Sequence, residues 1–309
     1  MRRQATDRRE RLVLRDGRSL CFSAIGPPTG WPVFYCHGAI GTPVETTVDL
    51  HEIVERVGVR YIAPSRPGVG DSDPQPGRTI LDFADDIAAL ADHLGIDRFS
   101  LLGVSAGGPY ALGIAHRLRA RVDRIALCSA LSPFCQPHRT PGLQRRIGLP
   151  LKALAAAPGL ACTLGDTVLP LLGRHPRLIT AVIAAHAAPC ERARLESGIE
   201  RGAASASFLD ATRGGVSGLI EDYLTYAHGW GFDPAEVATE VQLWHGAGDP
   251  LVPVEHALQL AAALPYCRVF VDPDEGHHFF RSSLEPILAA LVDREVRVSR
   301  AGQVVLRAA

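Results

Sequence analysis

Apolar residues along this chain follow two alternating rhythms. Short unbroken runs, such as Val33-Phe34-Tyr35-Cys36, Phe99-Ser100-Leu101-Leu102, Arg124 to Cys128 and Val241 to His245, read as strands buried on both faces. Between them, apolar positions recur at helical spacing. Leu81, Ala84, Ile87, Ala88, Ala91 and Leu94 share one face of a helix that Thr79 caps and Gly95 ends. The same rhythm predicts a helix from about Val44 to Val57 before a strand Arg60 to Ala63. It predicts further helices at Pro253 to Leu264 and Ser283 to Val292, on either side of a strand Arg268 to Val271. Near the start, Arg11 to Arg15 and Ser19 to Ile25 alternate around Asp16-Gly17, the pattern of a hairpin. Strands that alternate with helices at these lengths imply an α/β fold with a mainly parallel sheet.

The alternation stops after Ala130 and resumes near Val241. From Leu131 to about Ala238 no strand is evident, and Pro133, Pro137, Pro141, Pro150, Pro158, Pro170, Pro176 and Pro189 mark off short helices. The chain is therefore expected to hold a core in two halves, 1–130 and 239–309, with residues 131–238 inserted between them as a helical cap. The sheet is expected to fold without that insertion. The tail Glu295 to Leu306 alternates weakly around Ala301-Gly302, as a hairpin or an extended arm would.

Composition narrows the partners. With 309 residues the chain can bury a full core, and hydrophobic residues make up 47% of it. A net charge of −1 gives no electrostatic reason to expect nucleic acid or an anionic membrane. The seven cysteines (Cys21, Cys36, Cys128, Cys135, Cys162, Cys190 and Cys267) are scattered with no C-x-x-C pair, so neither a metal site nor a disulfide framework is expected. The basic start MRRQATDRRE lacks a following apolar stretch, and no run of about 18 apolar residues exists. A cytoplasmic protein with a small-molecule partner is the expectation, and a homo-oligomer stays open.

The candidate chemistry lies in Gly103-Val104-Ser105-Ala106-Gly107, with a strand before it and a helix after it. A strand that turns abruptly into a helix strains its corner residue and projects that side chain, and small neighbours let the two elements meet. Ser105 is the corner. A serine hydroxyl needs a base, and the base needs a group that fixes its tautomer. In an open α/β sheet these gather beyond the carboxyl ends of strands. Asp249 follows the strand Val241 to His245, and His277-His278 follow the strand Arg268 to Val271. His37 and His245 read as loop anchors, the turn at Arg66-Pro67-Gly68 as architecture, and Glu191, Glu196, Glu200, Glu221 and Asp222 as solvated helix faces, with binding of a substrate amine as the alternative for these five.

These pieces together resemble the α/β-hydrolase superfamily, in particular bacterial capped members related to proline iminopeptidases and small-molecule esterases. The resemblance rests on His37-Gly38, Arg66 to Ser72, Gly103 to Gly107, Gly248 to Pro253 and Gly276-His277, in family order. It implies Ser105 as nucleophile, His277 rather than His278 as base, and Asp249 as the orienting acid. It further implies an oxyanion hole from the backbone N–H groups of Ala39 and Ala106. Ala39-Ile40-Gly41 departs from relatives that carry Pro after the oxyanion residue.

Such a site needs no metal or organic cofactor and suits acyl transfer from an ester, lactone, thioester or amide. An aspartate at the elbow would instead have pointed to epoxide hydrolysis or dehalogenation. The Ala- and Leu-rich insertion suggests an apolar substituent. A cofactor-free lyase on the same triad, or a small-molecule receptor with little turnover, is the alternative.

Overall fold

The computed structural model describes residues 9–41, 49–133, 156–173, 175–195, 206–227, 229–292 and 303–306. Among them, nine strands form one sheet in the order β1-β2-β4-β3-β5-β6-β7-β8-β9. The strands are β1 (Arg9–Val13), β2 (Ser19–Ile25), β3 (Trp31–Cys36), β4 (Val59–Pro64), β5 (Phe99–Val104), β6 (Val122–Cys128), β7 (Glu240–Gly246), β8 (Cys267–Asp272) and β9 (Gln303–Leu306). β1 and β2 form the expected hairpin and β2 joins β4 antiparallel; every other pairing is parallel. Of the tail, Gln303–Leu306 contributes a parallel edge strand against β8, and 293–302 lie outside the described residues.

The period-2 geometry of the strands explains their unbroken apolar runs. Phe34, Cys36, Leu101 and Leu127 face one apolar cluster with Phe83, Ile87, Tyr110 and Leu260, from the helices Asp82–His93, Gly107–Arg117 and Glu255–Ala263. Val33, Tyr35, Leu102 and Val104 face a second cluster with Val54, Ile287 and Leu291, from the helices Leu50–Val57 and Leu284–Val292. Both faces are covered, so neither can be polar.

Local signals hold where they were read. The Thr79 hydroxyl accepts the Asp82 N–H at 3.3 Å while the Asp82 carboxylate accepts the Thr79 N–H at 2.7 Å, a reciprocal cap. Gly95, with φ +67°, follows the end of that helix. The helix expected from Val44 begins in the structure at Leu50, and 42–48 lie outside the described residues.

Between β6 and β7 the regular elements among the described residues are helical: Pro158–Gly173, Pro176–Ala185, Pro189–Leu195, a stretch at 206–211, Ser217–Ala227 and a 3-10 turn at Pro234–Glu236. The end of this segment packs with the sheet, since Tyr226, Trp230 and Val237 belong to the same apolar cluster as Phe34 and Leu101. Cys21, Cys36, Cys128, Cys162, Cys190 and Cys267 are free thiols, and Cys135 lies outside the described residues. No helix among the described residues is long and apolar enough to cross a membrane.

Candidate active site

Ser105 follows the last residue of β5 with φ +53°, a left-handed conformation that a side-chain-bearing residue adopts only when its surroundings enforce it. Its N–H donates to Cys128 O at 2.8 Å, and its carbonyl accepts the N–H groups of Gly108 (3.0 Å) and Leu131 (3.3 Å). The flanking glycines are sterically required. A Cβ on Gly107 would stand 1.9 Å from Cys36 O, and one on Gly103 would stand 2.9 Å from the Ala111 Cβ. Gly107→Ala is therefore expected to push the helix off β3 at an overpacking cost of about 1–3 kcal/mol or more. A lowered unfolding midpoint in urea, with reduced Ser105 reactivity in the folded fraction, checks this.

Asp249 and His277 come from loops after β7 and β8, adjacent strands in the sheet. Asp249 Oδ1 accepts the N–H groups of Leu251 (2.9 Å) and Val252 (2.8 Å), an Asx turn that fixes the carboxylate. Its Oδ2 lies 2.7 Å from His277 Nδ1. Burial alone would raise the Asp249 pKa, but the hydrogen bonds and charge of its partners, His277 first, hold it below the ordinary carboxylate value. An ionised carboxylate only accepts, so Nδ1 of His277 carries the hydrogen of this contact. The His277 carbonyl also accepts from Ser129 Oγ at 3.3 Å, where Ser129 follows β6, the strand between those of Ser105 and Asp249. Ser105, Asp249 and His277 thus stand at the carboxyl ends of one parallel array.

The neighbouring histidines differ. The His278 ring stands edge-on to His277 at 5.3 Å between centroids, and burial holds its pKa down at about 3. His245 Nε2 donates to Val252 O at 2.8 Å and lies 3.5 Å from Asp249 Oδ2, tying the Asp249 loop to β7. His37 accepts the Arg66 N–H at Nε2 (3.2 Å) and donates from Nδ1 to Gly38 O (2.9 Å), and burial lowers its pKa to about 3. Both act as the loop anchors expected of them.

The stretch from His37 lies against the serine: a Cβ on Gly38 would be 3.7 Å from the Ser105 Cβ. Ala39 is next in the chain, and Gly41 N–H closes a turn on Gly38 O at 3.3 Å. Among the described residues, the N–H groups of Ala39 and Ala106 donate to no turn or loop carbonyl.

Glu191 and Asp222 do not line solvated faces; each is about 1% exposed. Glu191 accepts the backbone N–H groups of His278 (2.5 Å) and Ala188 (3.4 Å), and burial raises its pKa. Asp222 accepts from Arg66 Nε (2.7 Å), Arg78 (2.6 Å) and Tyr110 Oη (2.8 Å). Arg66 is more than a turn residue. Its guanidinium is fully buried, donates to His37 O at 2.5 Å and Gly38 O at 2.8 Å, and lies over the Tyr110 ring. Of the other carboxylates, Glu221 accepts Gly77 N–H at 2.6 Å, Glu275 pairs with Arg194, and Glu196 and Glu200 lie outside the described residues. A sequence signal for Asp222 existed. It sits three residues after Leu219 and four before Tyr226, on the buried face of its helix.

The comparisons with known proteins agree with this architecture. The model of the alpha/beta hydrolase fold family matches residues 32–155. A pimeloyl-[acyl-carrier protein] methyl ester esterase of Aromatoleum aromaticum is 30% identical over 242 residues, 78% of this chain and 88% of that protein. The uncharacterized hydrolase YcgS of Bacillus subtilis is 30% identical over 125 residues, 40% of this chain but only 43% of its own length. The crystal structure of a hydrolase from Pseudomonas aeruginosa PA01 superposes with a TM-score of 0.70 at 18% identity, covering 94% of this chain and 99% of that one. The chain belongs to the α/β-hydrolase superfamily, and hydrolases, an esterase among them, are among its relatives.

Proposed function

We propose that the chain is a serine hydrolase that transfers an acyl group from a small, apolar ester to water. Lactones, thioesters and amides fall within the same chemistry. The observation that carries this is the 2.7 Å contact between His277 Nδ1 and Asp249, with a strained Ser105 at the end of β5 in the same array of strand ends. In this reading His277 Nε2 takes the Ser105 proton as the hydroxyl attacks the carbonyl carbon. Ionised Asp249 holds the imidazole in its tautomer and stabilises the imidazolium. The N–H groups of Ala39 and Ala106 receive the developing oxyanion. His277 then protonates the leaving alkoxide, and the same groups activate water to release the acid.

An ester is favoured over an amino-terminal peptide. Glu191, Asp210 and Asp222, the buried carboxylates among the described residues of the helical segment, already engage the protein's own donors (Asp210 with Arg9 and Arg213) and are not free for a substrate amine. The methyl ester cleaved by the Aromatoleum relative fits the same class. The helices between β6 and β7 would serve as a cap that sets acyl preference, and Leu160, Leu164, Val168 and Leu171 give them exposed apolar surface for an alkyl chain.

The test is a series of p-nitrophenyl esters of graded chain length. The wild type is expected to hydrolyse the short and medium members with a burst of nitrophenolate equal to the enzyme present. Ser105→Ala is expected to lose both burst and turnover. A Ser105→Ala variant that kept wild-type kcat would rule out the serine mechanism.

A further inference from the structure

Asp222 and Tyr226 stand four residues apart on the helix Ser217–Ala227, so both project from one face. The Tyr226 hydroxyl donates to Ala106 O at 3.0 Å. Asp222 binds Arg66 Nε at 2.7 Å, and the other two nitrogens of that guanidinium grip His37 O and Gly38 O. All of these side chains are buried.

A peptide unit is planar and trans, so fixing its carbonyl oxygen fixes the N–H on its opposite edge. Gly38 O and the Ala39 N–H belong to one such unit. The grip of Arg66 on Gly38 O therefore sets where the Ala39 N–H points. The Ala106 N–H belongs to the unit of Ser105 O, which Gly108 and Leu131 hold, and Tyr226 fixes the next unit through Ala106 O.

We propose that the helix Ser217–Ala227 braces both donors of the oxyanion hole, Asp222 acting through Arg66 on the Ala39 peptide and Tyr226 acting on the Ala106 segment. The proposal rests on the hydrolase reading above. Arg66, Asp222 and Tyr226 are positioning residues, since none of them is assigned a contact with substrate. Charge adds to the geometry. Arg66 and Arg78 share the one carboxylate of Asp222, so the buried cluster carries a net positive charge beside the site where an oxyanion would develop.

The test uses the full chain with Tyr226→Phe and Arg66→Lys, and p-nitrophenyl butyrate as substrate. Tyr226→Phe removes one hydroxyl and keeps the ring. Lysine keeps the charge of Arg66 but has no fork to join Asp222 to two carbonyls. Active sites are counted by fluorophosphonate labelling, and inhibition by an alkyl trifluoromethyl ketone, which forms a tetrahedral adduct, is measured beside turnover. Per labelled site, kcat is expected to fall about tenfold for Tyr226→Phe and about a hundredfold for Arg66→Lys, with KM within about twofold. The inhibition constant of the ketone is expected to rise by the same factors, which a loss of folded protein alone would not produce. Labelled variants with wild-type kcat and ketone inhibition would overturn the brace, as would a rise in KM with kcat and ketone inhibition unchanged. If Arg66→Lys does not fold, Tyr226→Phe decides by the same criteria. The underlying reading fails separately, when the wild type itself neither turns over an ester nor takes label at Ser105.

Discussion

Replacing His277 with alanine is expected to lower kcat by about three orders of magnitude or more, because Ser105 is left without a base. His278→Ala is expected to cost far less. The two histidines are neighbours in the chain, yet only His277 presents Nδ1 to Asp249, at 2.7 Å. His278 contributes its backbone N–H to Glu191, a contact that the alanine substitution leaves in place. Steady-state kinetics on a p-nitrophenyl ester, normalised to folded protein by circular dichroism, separates the two. A reversal of the two effects would move the base to His278 and remove the role assigned to Asp249.

The second large effect concerns stability. Asp222→Ala leaves two buried guanidiniums, Arg66 and Arg78, without their shared carboxylate. Breaking a buried ion pair from one side costs about 3–5 kcal/mol, because the orphaned charge stays desolvated. Burial alone would raise the Asp222 pKa, but the charges of Arg66 and Arg78 outweigh it and hold the pKa below the ordinary carboxylate value. A depressed native pKa stabilises the fold fully above the unfolded-state value, and this stabilisation is lost as pH falls through the native one. Urea melts of the wild type and Asp222→Ala should therefore differ most at neutral pH. The gap should narrow below about pH 4, the unfolded carboxylate value. Equal midpoints at pH 7 would show that the arginines find other compensation.

The same contacts alter the expectation that the sheet folds without residues 131–238. Removing that stretch would also remove Asp222, the Tyr226 bond to Ala106 O, the Glu191 acceptor of His278 N–H, and apolar contacts of Trp230 and Val237 with the sheet core. A linker in its place is expected to yield insoluble protein. An excision that keeps 217–238 has the better prospect of a folded core.

What could be read from the sequence was local or periodic. The strand–glycine–serine–glycine–helix corner, the Thr79 cap, the Asp16-Gly17 hairpin and the unbroken strand runs each span a few residues. Their physics is contained in that span. The order of Ser105, Asp249 and His277 was legible because a parallel sheet delivers loop after loop to the same edge. The Arg66–Asp222 pair was not, since its partners lie 156 residues apart and no spacing rule joins them. Glu191 was missed for the same reason: what buries it is the histidine loop, 87 residues further on. The tail strand Gln303–Leu306 alternates too weakly to declare its partner, which is set by the exposed edge of β8.

If Ser105 is the nucleophile, a fluorophosphonate captures it covalently. The native protein is treated with a fluorophosphonate, digested, and mapped by mass spectrometry, with Ser105→Ala treated in parallel. One adduct per chain is expected, on the peptide that contains Ser105, with loss of esterase activity in step with labelling and no adduct on the variant. Folded, active protein with Ser105 unmodified, or inactivation that follows labelling of a different residue, would contradict it.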